Sequence, residues 1–446
     1  MGHCRELRGI DLSFPDNIVT DPTPAIDESV RHLYGPNPAS INWGEDELVV
    51  LCLVRDGVRY IKAFLDHYDS LGVKHFVFLD NGSTDGTVET LAAESKERSL
   101  SVFLTELPYK DYRHEFKRYM IYRFGRRDRW VLIVDMDEFF DYPRSRAVNL
   151  GDFLGRLRRR GYTTVVSQML DMFPAEPLVR DASPPRDENF REVHRYYDTS
   201  DIKTASYSDH PWIIDNEVSN EGIMAFRGGI RKRIFGVTAT LTKHPLVFLD
   251  ECIRPLEDSA HWTNGASVGD VSCVLYHYKF LEGFHEFAEW AAREESYADS
   301  SSEYKSYLKV LRREPELRLH RETATELRGT DQLTASGFLV TSAHYDDWAD
   351  ELESSKVMKL AHSSPRELAG EFLRLRKETN VGARAAGDLN RRMHELGLYA
   401  LRELEKAEAR SKQREIRTPS LKSCCIERVA RLFDRLKFRL GIGKRG

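Results

Sequence analysis

The chain has 446 residues, 41% of them hydrophobic and 31% charged, with a net charge of −5. That is enough chain for a sizeable core and two or three domains, and its acidic balance argues against a general nucleic-acid binder. No apolar run approaches the roughly 18 residues of a membrane span, and Met1–Asp21 lacks the apolar centre of a cleavable signal. Glu6 stands where an N-myristoylation signal needs Ser or Thr. The six cysteines, Cys4, Cys52, Cys252, Cys273, Cys424 and Cys425, show no metal-binding spacing and read as reduced thiols of a cytoplasmic protein. The charge is uneven: Leu421–Gly446 holds eight Lys/Arg against two acids, which leaves −11 for the rest.

Met1–Glu45 is polar and without period, and residues 1–46 read as a loosely ordered N-terminal arm. Glu47–Val54, continuously apolar from Leu48, has the pattern of a strand buried on both faces. Val58, Ile61, Phe64, Leu65, Tyr68 and Leu71 then step by three and four, which predicts an amphipathic helix closed by Gly72. A second strand, Lys74–Leu79, enters the turn Asp80-Asn81-Gly82-Ser83-Thr84-Asp85-Gly86-Thr87, where Thr84 or Asp85 caps the next helix. Ser101–Leu104, Trp130–Val134 and Thr163–Met169 read as further strands, with a basic helix from Tyr112 to Phe124 between the first two. Alternating strands and helices predict a parallel α/β sheet. Phe173 to Asp270 reads as mixed strand and loop, and Ser272–Tyr278 as another buried strand. Beyond Phe280 helical patterns dominate, including Phe284–Ala298, Tyr304–Leu311 and Ala385–Ala409.

The strand Trp130–Val134 runs into Asp135, Asp137 and Glu138. In open α/β sheets ligands bind beyond the carboxyl ends of the strands. Asp135 and Asp137, two apart in extended chain, project to one side and suit a divalent cation through hard oxygen ligands. Taken alone, the pattern reads more readily as a solvated acidic turn, and the flanking sequence has to decide.

Together, Asp80–Thr87, Asp135-Met136-Asp137, Arg227-Gly228-Gly229, Leu241–Pro245 and Leu275–Lys279 make the chain resemble nucleotide-sugar-dependent glycosyltransferases. The likeness is to the family-2-like GT-A type, near the family-92 branch, over roughly Leu48 to Tyr307. It implies a Rossmann-like, mainly parallel sheet flanked by helices, with a helical C-terminal extension. The implied domains are the GT-A domain at 47–282, a helical extension at 283–417 and a basic amphipathic tail at 418–446. The implied partners are a nucleotide-sugar donor and a glycan or lipid-linked acceptor, with Mn2+ or Mg2+ as cofactor and surface polysaccharide or glycoconjugate synthesis as the setting.

Residue by residue, the resemblance implies that Asp80 and Asn81 meet the base and ribose, although the family more often has Asp where Asn81 stands. Asp135 touches ribose or metal, Asp137 and His277 ligate the metal with His261 as rival to His277, and Lys279 offsets phosphate charge. An inverting transfer also needs a carboxylate to deprotonate the acceptor. Glu221 is preferred because it precedes the Gly222–Gly229 segment, with Asp215, Glu217 and Asp258 as rivals. Arg227, with Arg231, Lys232 and Arg233, flanks a Gly pair that allows close backbone approach to a ligand, and arginines bind phosphate bidentately. Trp262 reads as core or as a sugar-stacking ring.

The basic stretch Lys110–Arg129 reads as the solvated face of a crossover helix rather than a nucleic-acid site. In the tail, Cys425, Val429, Leu432, Leu436 and Leu440 line one face among arginines. That face suits peripheral contact with an anionic inner membrane surface, or packing back on the protein. Two other functions fit the same sheet: a sugar-phosphate nucleotidyltransferase and a non-catalytic nucleotide-sugar-binding scaffold. The first usually carries a glycine-rich basic loop, and Arg55-Asp56-Gly57 is too short and too acidic for one.

Overall fold

The structure is a computed structural model that describes residues 24–178, 190–209, 213, 215–256, 261–295 and 297–362. Asp258, the stretch Ala385–Ala409 and the tail 418–446 lie outside the described residues. The chain divides into two compact units, Met1–Asp346 and Asp347–Gly446.

The first unit is built on an eleven-stranded mixed sheet. Its strands are β1 (Arg31–Tyr34), β2 (Leu48–Val54), β3 (His75–Asp80), β4 (Ser99–Leu104), β5 (Trp130–Asp135), β6 (Glu138–Asp141), β7 (Thr164–Asp171), β8 (Glu217–Val218), β9 (Thr242–Lys243), β10 (Leu246–Phe248) and β11 (Ser267–His277). The order is β1-β4-β3-β2-β5-β10-β7-β11-β8, with β9 on β7 and β6 on β11. The apolar runs make the centre: every residue of β2 is buried, as is Trp130–Val134. Helices Val58–Leu71, Thr87–Glu94 and Tyr109–Phe124 make the crossovers between the parallel strands β2, β3, β4 and β5. Gly72 closes the first at φ 96°, a left-handed conformation that costs glycine little.

Register then decides what meets what. Leu53 lies beside Asp135, Val54 beside Asp80, and His277 beside both Asp171 and Glu138. The carboxyl ends of β2, β3, β5, β7 and β11 therefore share one edge.

The sheet is mainly parallel, as expected, with antiparallel insertions: β10 runs between β5 and β7 against both, and β6 runs against β11. β10 has three residues, too few to show a period. The described part of the arm, expected to be loosely ordered, is instead ordered chain: β1 pairs antiparallel with β4 at the sheet edge, and Ile41 and Trp43 are buried against the core. Further, Cys252 is disulfide-bonded, so the expectation of uniformly reduced thiols does not hold, whereas Cys52 and Cys273 are free and buried.

Helices Phe284–Glu294 and Ala298–Arg313 pack on helix Gly229–Phe235 through a second core. Phe235, Phe280, Phe284, Tyr307 and Leu311 are buried there. This packing carries Glu303 and Tyr304 to the edge where the strands end. Among the described residues no helix is long and apolar enough to cross a membrane.

Candidate active site

At the end of β5 the acidic cluster is divided between two sets of cations. Asp137 Oδ2 lies 3.2 Å from His277 Nε2. The other ring nitrogen, Nδ1, is 2.5 Å from Asp171 Oδ1. Arg231 Nε in turn donates to Asp171 Oδ2 at 2.8 Å. Burial disfavours the charged imidazole, but Asp137 and Asp171 outweigh it and push His277 up to about 9. Burial likewise opposes ionisation of both carboxylates, and is outweighed: His277 lowers Asp137, while Arg231 and His277 bring Asp171 to about 2.

Asp135 belongs to the second set. Lys117 Nζ is 2.7 Å from its Oδ1, and Lys243 Nζ is 3.6 Å from its Oδ2. Lys243 also pairs with Glu138, which is 2% exposed and accepts from the Asp135 N–H at 3.2 Å. Burial opposes the Asp135 charge, yet Lys117 and then Lys243 hold it far below the usual carboxylate range. A small cavity beside this set is lined by Lys117, Glu138, Lys243, His244 and His261. His261 is held well below its ordinary value by burial and by Lys243 and Lys117. Trp262 is buried with its ring 5.5 Å from that of His244, so it belongs to the wall of this region.

Lys279 completes the edge. Its Nζ donates to Tyr304 Oη at 3.1 Å and lies 3.7 Å from Glu303. Burial opposes its charge, but Glu303 outweighs it and raises the ammonium above the ordinary lysine range.

On β3, Asp80 is fully buried and accepts from the Ser83 N–H and hydroxyl. Burial still raises it above an ordinary aspartate. Asn81 donates through Nδ2 to the carbonyls of Thr105 and Leu107, at 3.1 and 2.8 Å. Those two carbonyls fix which way the amide points. They leave Asn81 Oδ1 as a buried acceptor with no partner among the described residues. Asp85 is a capping residue: it accepts from Thr87 N–H and also from Val58 N–H, so it serves the start of two helices.

The structure thus brings together Asp80, Asn81, Asp135, Asp137, His261, His277 and Lys279 along one edge. It places Arg227, Glu217, Glu221 and Asp215 elsewhere. Arg227 is exposed, on strand Met224–Gly228 opposite Lys203 in a separate two-stranded sheet. The glycine beside it serves the backbone: at Gly228, with φ 92°, a Cβ would sit 3.1 Å from the Asp201 carbonyl. Glu217 is exposed and pairs with Ser267, at the opposite end of β11 from His277. Glu221 is exposed and follows Asn220, which is hydrogen-bonded to Asp270, seven residues before His277 on the same strand. Asp215 is exposed and paired with Arg254 at 3.4 Å.

Lys117, Lys243, Asp171 and Glu303 join the site without a role that the sequence assigns them, and Arg231, expected beside phosphate, is engaged with Asp171. Two of them do carry a signal. Asp171 ends a buried strand much as Asp135 does, and Lys117 is a lone cation on the helix face of Phe116, Met120 and Ile121. Among the described residues no group of three or more His, Cys, Asp and Glu is arranged to hold a metal ion.

No family model matches this chain, and no curated protein matches it. Solved structures of TarS from S. aureus are similar in part. One covers 32% of this chain at 17% identity and a TM-score of 0.21, and this chain spans 24% of its length. TarS 1–349 covers 60% of this chain at 13% identity and a TM-score of 0.25, with 73% of that chain spanned. TarS 1–349 in complex with UDP-GlcNAc covers 60% at 14% identity and a TM-score of 0.26, with 72% spanned. Likenesses at such TM-scores carry no argument about function, which rests on the residues of this chain.

Proposed function

We propose that this site binds a nucleoside diphosphate sugar and passes the sugar to a hydroxyl of a glycan or lipid-linked acceptor. The observation that carries the reading is the meeting of Asp80-Asn81, Asp135-Met136-Asp137 and His277-Tyr278-Lys279 at the carboxyl edge of one sheet. Such an edge is where open α/β sheets bind ligands. The unpartnered Asn81 Oδ1 asks for a donor such as a base or ribose supplies, since a buried acceptor left alone costs about 1–3 kcal/mol. Lys279 supplies positive charge beside Asp137, suited to a diphosphate.

A divalent cation is our proposal for one part of this edge, where it would replace the proton between Asp137 and His277. Two ligands at right angles on Mg2+ or Mn2+ stand about 3 Å apart, and Asp137 Oδ2 and His277 Nε2 are separated by 3.2 Å. The Asp171 contact at Nδ1 fixes the ring, an arrangement typical of metal-bound histidines. Asp137 and His277 are therefore the residues that would hold Mn2+ or Mg2+, and the ion would stabilise charge developing on the leaving diphosphate. Asp135 is engaged by lysines and is better suited to accept hydrogen bonds from ligand hydroxyls.

The short connection Arg55-Asp56-Gly57, running directly into the helix at Val58, favours sugar transfer over nucleotidyl transfer. A thermal-shift panel with UDP and GDP, each with Mn2+ and with EDTA, tests the reading. A Tm rise with one nucleotide in Mn2+ is expected, because a ligand of the native state stabilises it. No response to either nucleotide would favour a scaffold that does not bind these donors.

A further inference from the structure

We propose that Lys117 and Lys243 are positioning residues that fix the Asp135 carboxylate as a hydroxyl acceptor for the bound nucleotide. The proposal rests on the donor reading of the site and deepens it. The two lysines reach Asp135 from different elements, Lys117 from helix Tyr109–Phe124 and Lys243 from β9. Both are nearly enclosed, with side chains 8% and 7% exposed, whereas the Asp135 side chain is 37% exposed. The cations therefore come from the protein side, and the open side of the carboxylate faces outward at the strand end. A carboxylate oxygen has more than one acceptor direction, so one engaged from below still accepts from a ligand.

Glu138 gives the pair a second purpose that has to be separated from this one. Lys243 also neutralises buried Glu138, and removing the lysine alone would leave a buried charge unpaired. The variant Lys243→Met with Glu138→Gln removes both members, and Glu138→Gln alone is its reference. Lys117→Met is an independent second route, since it leaves the Lys243–Glu138 pair intact.

The wild type and these variants are titrated with UDP and GDP and with their 2′,3′-dideoxy counterparts in Mn2+, with Tm recorded for each. The wild type and Glu138→Gln are expected to prefer the hydroxylated nucleotide by about tenfold, the worth of a charged hydrogen bond. In Lys117→Met and in the double variant that preference falls towards one while the protein still melts cooperatively. A preference that survives in either folded lysine variant overturns the proposal, as does a wild type that ignores the ribose hydroxyls. A wild type that binds neither nucleotide overturns the donor reading itself, and the dideoxy ratio then cannot be measured at all.

Discussion

The Nδ1 of His277 stands 2.5 Å from Oδ1 of Asp171, a residue 106 positions earlier in the chain. Parallel pairing of β7 and β11 places the two residues side by side. The contact orients the ring so that Nε2 faces Asp137. Removing such an outer partner typically costs about 10–100-fold in metal affinity. Asp171→Asn should therefore raise the Mn2+ concentration needed for nucleotide binding by about tenfold or more, with a smaller effect on any metal-independent binding. Mn2+ titrations at fixed nucleotide check this, and an unchanged Mn2+ requirement would show that Asp171 serves only the fold.

The same ring gives a pH signature in EDTA. With His277 pushed up to about 9 in the folded chain and near 6.5 when unfolded, the native state holds the extra proton between those values. Its stabilisation is fully present below about pH 6.5 and is lost as pH rises through 9. The stability difference between wild type and His277→Gln should thus shrink from about pH 6.5 to about pH 9.5. Denaturant midpoints across that range measure it, and a difference that grew with pH would reverse the assignment.

Asn81→Ala removes the donors to two carbonyls, Thr105 and Leu107, as well as the unpartnered acceptor. It should destabilise the fold by about 1–3 kcal/mol and weaken nucleotide binding too. Asn81→Asp keeps an acceptor but places an anion against those carbonyls, so the loss of stability should be at least as large. Urea unfolding beside nucleotide titration separates the two effects.

Away from the site, Arg156 and Asp270 form a buried bidentate pair with both contacts at 2.7 Å. Arg156→Met alone should cost about 3–5 kcal/mol, because Asp270 is left charged and enclosed. The double variant Arg156→Met with Asp270→Asn should recover much of that. Nucleotide affinity should stay close to wild type in whichever of these variants remains folded.

Much of this architecture is legible in the sequence because burial writes long, simple patterns. The helix Val58–Leu71 and its Gly72 cap follow from apolar spacing and one glycine. The β5 strand follows from an apolar run that stops at Asp135. What stays hidden has equally physical causes. β10 and β1 are three and four residues long, and their places are set by partners rather than by period. Lys117 is one of several cations on its helix, and its place beside Phe116, Met120 and Ile121, rather than charge composition, is what marks it as buried. Glu303 reaches Arg231 and Lys279 only through packing of the later helices, which no local spacing encodes. Arg227 stands beside two glycines, as a ligand-binding arginine would, yet at Gly228 the close approach is to the Asp201 carbonyl.

The most direct test is nucleotide binding and donor hydrolysis by wild type and Asp137→Ala, with Mn2+ and with EDTA. The wild type is expected to bind UDP or GDP more tightly in Mn2+ and to turn over the matching nucleotide sugar. Asp137→Ala should stay folded and lose that Mn2+ dependence, together with about 100-fold or more in turnover, on the scale of losing one charge-stabilising group. Wild-type metal dependence and turnover in folded Asp137→Ala would contradict the account.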